Sequence, residues 1–518
     1  MVLLRAVLAV AAALALRSTN AAPLSARQQS LATCLQSKGL APVTQSSADY
    51  KADSAAYNQR IQPKPVAILY PSSSADISKA LKCASSSGVK VSARGGGHSY
   101  ASYGLGSGDG GFTIDLSRFS NITVDSNGLA TIGGGSRLGD IYLALNDQGW
   151  AVAAGSCNGV GIGGHAGFGG YGLPSRMWGF LSDQVVAFDI VLANGTALSN
   201  VTSSSHSDLF WTLKGAAPNY GIVTAYHVQA HHAPANVVIA KYMYSNPSVV
   251  NAATAFSSLA AFGNLSAPAN LALQAVVGRD SLEIVAVWYG PEAELGGVIG
   301  SLEDELPPSY EKTATSYSWI GATTELAGVS DLSTKGKMLQ NRDSFFAKSL
   351  LTPSTVPISI DTLEAFFDYL WTSNTSTNWF VEANVYGGAN SAINDVSLDA
   401  SSFGFRDKHL AFQLYASSPT YGNPYPSEGI PFVKGMWSTI VDGMTKKGWT
   451  SNSSSPDGYA AYVNYVTLLV AAVDPTLTAK ETRVQYWGSQ YPRLAKLKAV
   501  YDPNQLINSP QGIRPTSS

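Results

Sequence analysis

The alternation of apolar and polar residues divides the chain into two parts of different texture. In the first part, short apolar runs alternate with amphipathic stretches of helical length, a pattern that predicts α/β packing. The predicted strands lie at residues 66–71, 89–92, 112–116, 130–132, 185–192 and 221–230. The predicted helices lie at residues 76–87, 138–148 and 207–214, the last capped by Ser207, and the polar stretch 25–60 is also expected to be helical.

From about residue 235 the alternating segments become longer. Their period of two predicts half-buried strands, and therefore an antiparallel sheet with helices on one face. The strands are predicted at residues 270–277, 281–289, 378–386 and 409–415, and the helices at 249–262, 362–370 and 479–500. The change in texture predicts a second domain.

Composition limits the kinds of partner. The chain has 518 residues, which is too long for one core and predicts two or three domains. Only 13% of the residues are charged and the net charge is −2, so the composition does not favour a nucleic-acid-binding face. A surface of low charge, rich in hydroxyl, amide and aromatic groups, suits neutral polar ligands such as sugars.

The N-terminus has the features of an export signal. Arg5 precedes an apolar run at residues 6–16, which is too short to span a bilayer, and the small residues up to Ala21 offer a cleavage site. We therefore expect a signal peptide at residues 1–21 and a secreted protein without membrane helices; the alternative is a buried N-terminal helix. Six N-x-S/T sequons agree with export: Asn121, Asn194, Asn200, Asn264, Asn374 and Asn452.

The three cysteines leave one thiol unpaired in an oxidising compartment. Cys34 and Cys83 lie in ordinary, helix-like sequence and could pair. Cys157 lies in a glycine-rich stretch at residues 155–165, and a second such stretch at 94–100 contains His98. Because glycine-dense loops let backbone N–H groups close around phosphates, these two residues predict a cofactor held covalently from two sides. For Cys157 alone, an inert buried thiol is the alternative.

Six motifs follow one another along the chain. They are RGGGHSY at 94–100, GSCNGVG at 155–161, GGYG at 169–172, DLFW to KGAAPNYGIVT at 208–224, YVNY at 462–465, and YPRL to YDP at 491–503. In these motifs the chain resembles the berberine-bridge-enzyme-like branch of the vanillyl-alcohol-oxidase flavoproteins, and most of all the secreted fungal oligosaccharide oxidases.

The resemblance implies an α+β fold. A two-subdomain FAD-binding domain of the PCMH type is expected at residues 22–232, and a substrate-binding domain with a large antiparallel sheet covered by helices at 233–470. Residues 471–518 are expected to return to the FAD domain.

The resemblance also implies FAD held by two bonds, from His98 to the flavin 8α-methyl carbon and from Cys157 to C6. Imidazole and thiolate are soft nucleophiles suited to such attachment. The other implied FAD-binding residues are Arg94, Gly95, Gly96, Gly97, Ser99, Gly161, Gly164, Tyr171, Gly221, Ile222 and Val223. In this family Cys34 and Cys83 are expected to form a disulfide, and a small residue such as Val160 is expected to admit oxygen to the flavin.

Tyr465 is the implied general base. An unperturbed tyrosine has a pKa of about 10, so its surroundings must lower that pKa. Tyr462 is expected on the same wall as Tyr465 if the segment is helical, and on the opposite wall if it is a strand. Tyr100, two residues after His98, is expected to line the pocket.

Three polar residues on predicted strands are expected to contact the sugar or assist the base: Glu382, Asn384 and Gln413. Asn384 holds the apparent position of a carboxylate that assists the base in the family, with Glu382 beside it. His165, Trp178 and the pair at residues 231–232 are assigned to structure, since the histidines lack metal-ligand spacing; no metal is expected.

The expected function is oxidation of the anomeric C1 hydroxyl of reducing oligosaccharides to lactones, with O2 reduced to H2O2, by a secreted monomer. Three alternatives remain: an oxidase of secondary-metabolite alcohols, a dehydrogenase with another electron acceptor, and a binding protein without turnover. An apolar run at residues 466–473 departs from the family pattern and is either an unusual loop or an error in the gene model.

Overall fold

The computed structural model describes residues 24–337, 342–465, 483, 485–510 and 512–516. The expected signal peptide and the apolar run at residues 466–473 lie outside the described residues.

Residues 24–115 build a small mixed sheet. Its elements are α1 (Leu24–Ser37), β1 (Val43–Thr44), α2 (Tyr50–Asp53), β2 (Ala67–Leu69), α3 (Ser74–Ser86), β3 (Val91–Arg94) and β4 (Phe112–Asp115). The strand order is β1-β2-β4-β3, with β2 and β3 both parallel to β4. Cys34 on α1 and Cys83 on α3 form a disulfide with their Cα atoms 5.6 Å apart, which confirms the expected pairing.

The expectation that residues 25–60 are helical is wrong for most of the stretch. Helix α1 ends at Ser37, α2 is one turn long, and residues 54–66 form an irregular arm. Polar side chains of this arm form hydrogen bonds with distant parts of the chain instead of lining the exposed face of a helix. Asn58, with no exposed surface, bridges to Asp343, far along the sequence.

A second, antiparallel sheet completes the N-terminal domain. Its elements are β5 (Ile122–Val124), β6 (Leu129–Gly133), α4 (Leu138–Asn146), β7 (Trp150–Ala151), α5 (Ile162–Gly167), α6 (Ser175–Trp178), α7 (Leu181–Gln184), β8 (Val185–Leu192), β9 (Ala197–Val201), α8 (Ser207–Ala216), β10 (Gly221–Gln229) and β11 (His231–His232). The strand order is β5-β6-β10-β8-β9, while β7 and β11 pair with each other as a separate two-stranded sheet. Ser207 does not cap α8, because it is the first helical residue and His206 precedes it without a capping side-chain bond.

The second domain is built on a seven-stranded antiparallel sheet. Its elements are β12 (Val237–Ser245), α9 (Val249–Leu265), β13 (Leu271–Gly278), β14 (Ser281–Trp288), α10 (Glu292–Glu305), β15 (Glu311–Tyr317), α11 (Trp319–Ala327), β16 (Phe345–Pro353), α12 (Ile360–Thr372), β17 (Asn378–Val385), α13 (Ala392–Asp395), β18 (Lys408–Ser417) and α14 (Gly429–Thr445). The strand order is β15-β12-β14-β13-β17-β18-β16.

The two faces of this sheet have different neighbours because side chains alternate along each strand. On β17, Trp379, Val381, Ala383 and Val385 belong to one apolar core with the long helices α9, α10, α12 and α14. On the other face, Ala272, Val285 and Val287 join the core of the N-terminal domain. Polar residues of β17 and β18 share this second face, so the sheet brings them to the boundary between the domains.

The C-terminal helix α15 (Tyr491–Tyr501) packs on the N-terminal domain. The hydroxyl of Tyr220 donates to the carbonyl of Leu494 at 2.7 Å, and the N–H of Val91 donates to the carbonyl of Leu506 at 2.8 Å. In the described part of the chain, no helix combines the length and the apolarity needed to cross a membrane.

Two buried arginines join the domains. Arg176, on α6, has no exposed surface and donates to four carbonyls of the second domain, those of Ala267, Leu271, Gly387 and Ala389. Arg406 forms a bidentate pair with Asp183 of α7, at 2.9 and 2.6 Å, and both side chains are less than a tenth exposed. Asp183 also accepts the N–H of Phe180 at 2.9 Å.

We predict that Asp183→Ala lowers the free energy of unfolding by about 3–5 kcal/mol, because it leaves the Arg406 guanidinium buried without a counter-charge. Urea denaturation followed by tryptophan fluorescence measures the change. The matched control is Asp208→Ala, which breaks the exposed pair of Asp208 with Arg493 and should cost about 1 kcal/mol or less. Equal effects of the two substitutions would contradict the prediction.

Candidate active site

Two glycine-rich loops of the N-terminal domain pack directly against each other. The first loop, residues 94–100, follows β3, and the second loop, residues 155–165, leads into α5. A Cβ atom on Gly96 would lie 2.4 Å from the backbone nitrogen of Gly161, and one on Gly161 would lie 2.1 Å from that of Gly96. Only glycine allows this approach. The contact therefore sets the distance between the two loops.

The packed loops place the two candidate nucleophiles side by side. The Cys157 Sγ lies 3.5 Å from the His98 Nε2. Burial lowers the pKa of His98 to about 4, so its imidazole is neutral and nucleophilic at pH 7. Burial raises the pKa of the Cys157 thiol, and hydrogen bonds from the backbone of Gly159 and Val160 oppose this effect. Cys157 keeps exposed surface and is therefore accessible to a ligand.

The second loop is held from behind by two side chains at Gly155. The Gly155 N–H donates to His165 Nε2 at 3.1 Å, and the Tyr142 hydroxyl donates to the Gly155 carbonyl at 2.9 Å. Burial lowers the pKa of His165 to about 4, so the ring stays a neutral acceptor. Val160 closes the turn after Cys157, its N–H bonding the Cys157 carbonyl at 3.2 Å, and packs against the core of this domain.

Tyr462 and Tyr465 lie on the same wall of the site. Residues Val463–Tyr465 form a single 3-10 turn, and the two rings meet edge to face with centroids 5.0 Å apart. Of the two geometries considered from the sequence, the structure has the helical one. The Tyr462 hydroxyl accepts the N–H of Tyr171 at 3.1 Å and the amide N–H of Asn464 at 3.0 Å. These two bonds fix the position of the Tyr462 ring, on which the Tyr465 ring packs.

Near Tyr465, the second domain contributes polar side chains from the neighbouring strands β13, β17 and β18. Asn384 Nδ2 donates to Glu382 Oε1 at 2.9 Å, and Gln274 of β13 also bonds the Glu382 carboxyl. Gln413, directly across from Glu382 on β18, donates to the Tyr100 hydroxyl at 2.8 Å. The structure thus brings Tyr100, Glu382, Asn384 and Gln413 together, and their role in binding the sugar stays a prediction.

Glu382 carries a carboxyl group near Tyr465, and the Asn384 amide donates a hydrogen bond to it. Burial raises the pKa of Glu382, because no cationic side chain among the described residues faces it closely enough to offset desolvation. Burial, and then the charge of Glu382, raise the pKa of Tyr465 well above its ordinary value. Tyr465 is therefore protonated in the free site.

Comparison with known proteins identifies the family. Residues 65–199 match the FAD binding domain family, and residues 461–514 match the family described as berberine and berberine like. A chitooligosaccharide oxidase from Gibberella zeae is 30% identical to this chain over 96% of each protein, and a solved chitooligosaccharide oxidase structure superposes with a TM-score of 0.85 over 94% of this chain and all of its own. The chain belongs to the berberine-like FAD-linked oxidases.

Other relatives agree with this family. A glucooligosaccharide oxidase from Sarocladium strictum is 29% identical over 97% of this chain and 98% of its own length. A solved glucooligosaccharide oxidase from Acremonium strictum, described as carrying a 6-S-cysteinyl, 8α-N1-histidyl FAD, is 28% identical with a TM-score of 0.85 over 94% of this chain and all of its own. The protein is an FAD-dependent oxidoreductase of the two-domain fold expected from its motifs.

The residues of the cleft fit FAD. Neutral imidazole and thiol stand side by side on the two loops, as attachment at two positions of one ring requires. Ser136, whose carbonyl accepts the N–H of Ile162 at the start of α5, has a buried hydroxyl without a partner among the described residues, and so has Tyr171. Both hydroxyls are available to a polar ligand. At Gly164 a Cβ would meet nothing within 4 Å, which leaves open space beside the second loop.

Several residues expected to bind FAD have structural contacts of their own. Arg94 donates to the Asp115 carboxylate, the carbonyl of Asp53 and the Tyr70 hydroxyl. These bonds link the end of β3 to the ends of β4 and α2. Ser99 accepts the N–H of Tyr103 at 3.2 Å. The remaining residues are loop and strand backbone: Gly95 and Gly97 of the first loop, and Gly221, Ile222 and Val223 at the start of β10. Their contact with FAD stays a prediction.

Sequence reasoning missed three residues of the site. Gln274 lies on a strand that was predicted, in register with Asn384, but nothing in the sequence showed which strands are neighbours. Ser136 follows Gly133, Gly134 and Gly135, a third glycine run that could have marked it. Tyr57 stacks on His98 from the irregular arm, with ring centroids 3.7 Å apart, and no periodic pattern marks it.

Proposed function

We propose that the protein is a secreted oxidase that converts the anomeric C1 hydroxyl of reducing oligosaccharides to a lactone and reduces O2 to H2O2. The observation that carries this proposal is that Tyr465 lies close enough to Glu382 and Tyr100 to feel their charges, while Tyr100 in turn lies near Cys157 of the His98–Cys157 pair. The names of the relatives, which include chito-, xylo- and glucooligosaccharide oxidases, support a sugar as the substrate. We further propose that the protein acts as a monomer.

A signal-like N-terminal sequence, a disulfide and exposed glycosylation sequons support secretion. Residues 1–21 have the composition of a signal peptide, and the disulfide between Cys34 and Cys83 suits an oxidising compartment. The sequon residues Asn121, Asn194 and Asn200 are exposed and open to glycosylation.

The flavin is proposed to be joined to His98 through its 8α-methyl carbon and to Cys157 through C6. FAD held by these two residues would supply hydride acceptance from C1 and electron transfer to O2. The domain boundaries expected from the sequence, near residues 232 and 470, are kept in this proposal: the N-terminal domain holds the cofactor, and the sheet of the second domain holds the sugar. Val160, beside Cys157, is proposed to admit O2.

Tyr465 is proposed to remove the proton of the anomeric hydroxyl. Because burial and the Glu382 charge keep the free Tyr465 protonated, it must pass on its own proton as it takes that of the substrate. Glu382 is the acidic group whose charge acts on Tyr465, and its raised pKa makes it a better proton acceptor than an ordinary carboxylate. Asn384 orients Glu382, while Tyr100 and Gln413 hold the sugar.

Tyr465→Phe is predicted to slow flavin reduction by the substrate about 10²–10⁴-fold, since the general base is lost while the fold and the flavin stay. The test mixes purified protein anaerobically with cello-, malto-, chito- and xylo-oligosaccharides and with phenolic alcohols, and follows flavin bleaching and, in air, peroxide. Tyr244→Phe, on the helix-covered face of the sheet, is the control and should react like wild type.

Reduction by phenolic alcohols alone would instead favour a secondary-metabolite oxidase, and bleaching without peroxide in air would favour a dehydrogenase. A wild-type flavin that none of these compounds bleaches would contradict the proposed function.

Glu382→Gln tests the proton transfer. Burial raises the pKa of Glu382, so in wild type kcat should rise with pH as this carboxylate ionises and then reach a plateau. In the variant we expect this acidic limb to disappear and the plateau to fall about 10²-fold. A pH series of kcat measures both. Glu325→Gln, at an exposed pair with Lys241, should keep the wild-type profile. An unchanged acidic limb in Glu382→Gln would rule out this role.

A further inference from the structure

The His98 ring is covered by an aromatic side chain that comes from outside both glycine loops. Tyr57, in the irregular arm of residues 54–66, stacks on His98 with ring centroids 3.7 Å apart and an interplanar angle of 28°. The Tyr57 side chain is 8% exposed and is enclosed by Tyr100, at 6.1 Å, and the edge of Phe345, at 5.7 Å. One face of the imidazole is therefore fixed against a ring that has little freedom of its own.

The arm that carries Tyr57 is anchored to both domains by Asn58. The Asn58 amide donates to the carbonyls of Tyr100, at 2.9 Å, and Phe345, at 3.1 Å, and its oxygen accepts the N–H of Phe345 at 3.3 Å. Arg60 adds a bond from Nε to the Phe345 carbonyl at 3.0 Å. The position of Tyr57 thus depends on the first loop and on the edge strand β16 together.

Tyr57 is not suited to act as a base on its neighbours. Burial, and then the charges of Cys157 and Asp343, raise the pKa of its hydroxyl. The hydroxyl therefore stays protonated, and the contact with His98 is one of ring faces. Such a stack restrains the rotation of the imidazole plane and hence the direction in which its ring nitrogens point.

We propose that Tyr57 is the positioning residue for His98 in covalent flavin attachment, holding the imidazole in the plane from which it bonds the 8α-methyl carbon. This inference rests on the flavin attachment of the proposed function. Forming the bond replaces one methyl C–H and the imidazole N–H by a C–N bond. The two electrons and two protons released pass to O2, giving H2O2. Cys157, whose loop is held separately at Gly155 by His165 and Tyr142, does not depend on this stack.

The test compares Tyr57→Ala, Tyr57→Leu and Tyr57→Phe, each purified as full-length protein expressed with FAD. After proteolysis, mass spectrometry measures the flavin bonded to the His98 peptide, to the Cys157 peptide, or to both. Tyr57→Phe keeps the stack and should match wild type. Tyr57→Ala and Tyr57→Leu should carry about tenfold less histidyl bond while retaining the cysteinyl bond, since misorientation slows bond formation. Tyr57→Leu keeps most of the side-chain volume, so it serves if the alanine variant fails to fold.

The matched control is Tyr415→Ala. Tyr415 belongs to the same aromatic group, stacked on Phe345 and Phe380, but does not contact His98, and its removal should leave both bonds intact. Tyr57→Leu with both bonds at the wild-type level would overturn the proposal. So would equal loss of both bonds in a variant whose circular dichroism is native. Wild-type protein without covalent flavin would overturn the attachment itself, a failure distinct from that of Tyr57.

Discussion

The backbone contact between Gly96 and Gly161 is the constraint on which the site depends. Side chains at either position would collide with the opposite backbone, so the two loops can approach only because both residues are glycine. The contact brings His98 and Cys157 to neighbouring positions. Within the described residues, the buried hydroxyls of Ser136 and Tyr171 have no hydrogen-bond partner. The close backbone packing of the two loops therefore determines how near His98 and Cys157 lie to each other.

The second domain completes the cleft through the alternation of its strands. One face of the seven-stranded sheet is apolar and covered by helices, which leaves the polar residues of β17 and β18 on the face toward the first domain. Arg176 and the pair of Arg406 with Asp183 hold that face in place with buried hydrogen bonds. Tyr462 and Tyr465, whose rings meet edge to face, come from a segment that follows the second domain's sheet in the sequence.

Much of the fold could be predicted because its elements are strongly periodic. Five strands, β8, β13, β14, β17 and β18, were predicted close to their observed positions. The alternation of side chains along β17 also predicted that Glu382 and Asn384 share one face of the sheet. The arm at residues 54–66 could not be predicted, since its conformation is set by contacts of Asn58 with residues as far away as Phe345. Strand β16 and helix α14 were also missed, and with them the edge on which the arm rests.

Site residues that stand in a sequence motif could be predicted. Residues whose role depends on how neighbouring strands are aligned could be predicted less well. His98, Cys157 and Tyr465 stand in recognisable motifs, whereas the roles of Glu382 and Asn384 depend on which side chain faces Tyr465. Asn384 holds the position where a carboxylate was expected, and the structure has a carboxyl group two residues earlier, at Glu382, bonded to Asn384 and Gln274. Register across strands, and not sequence spacing, determines that arrangement.

One flavin bonded to both loops has a direct signature in the mass of the flavin-containing peptides from acid-precipitated, proteolysed wild-type protein. We expect a single species in which the peptides of His98 and Cys157 are joined through one FAD, with the colour retained in the pellet. Free FAD in the supernatant and unmodified peptides at both positions would contradict it.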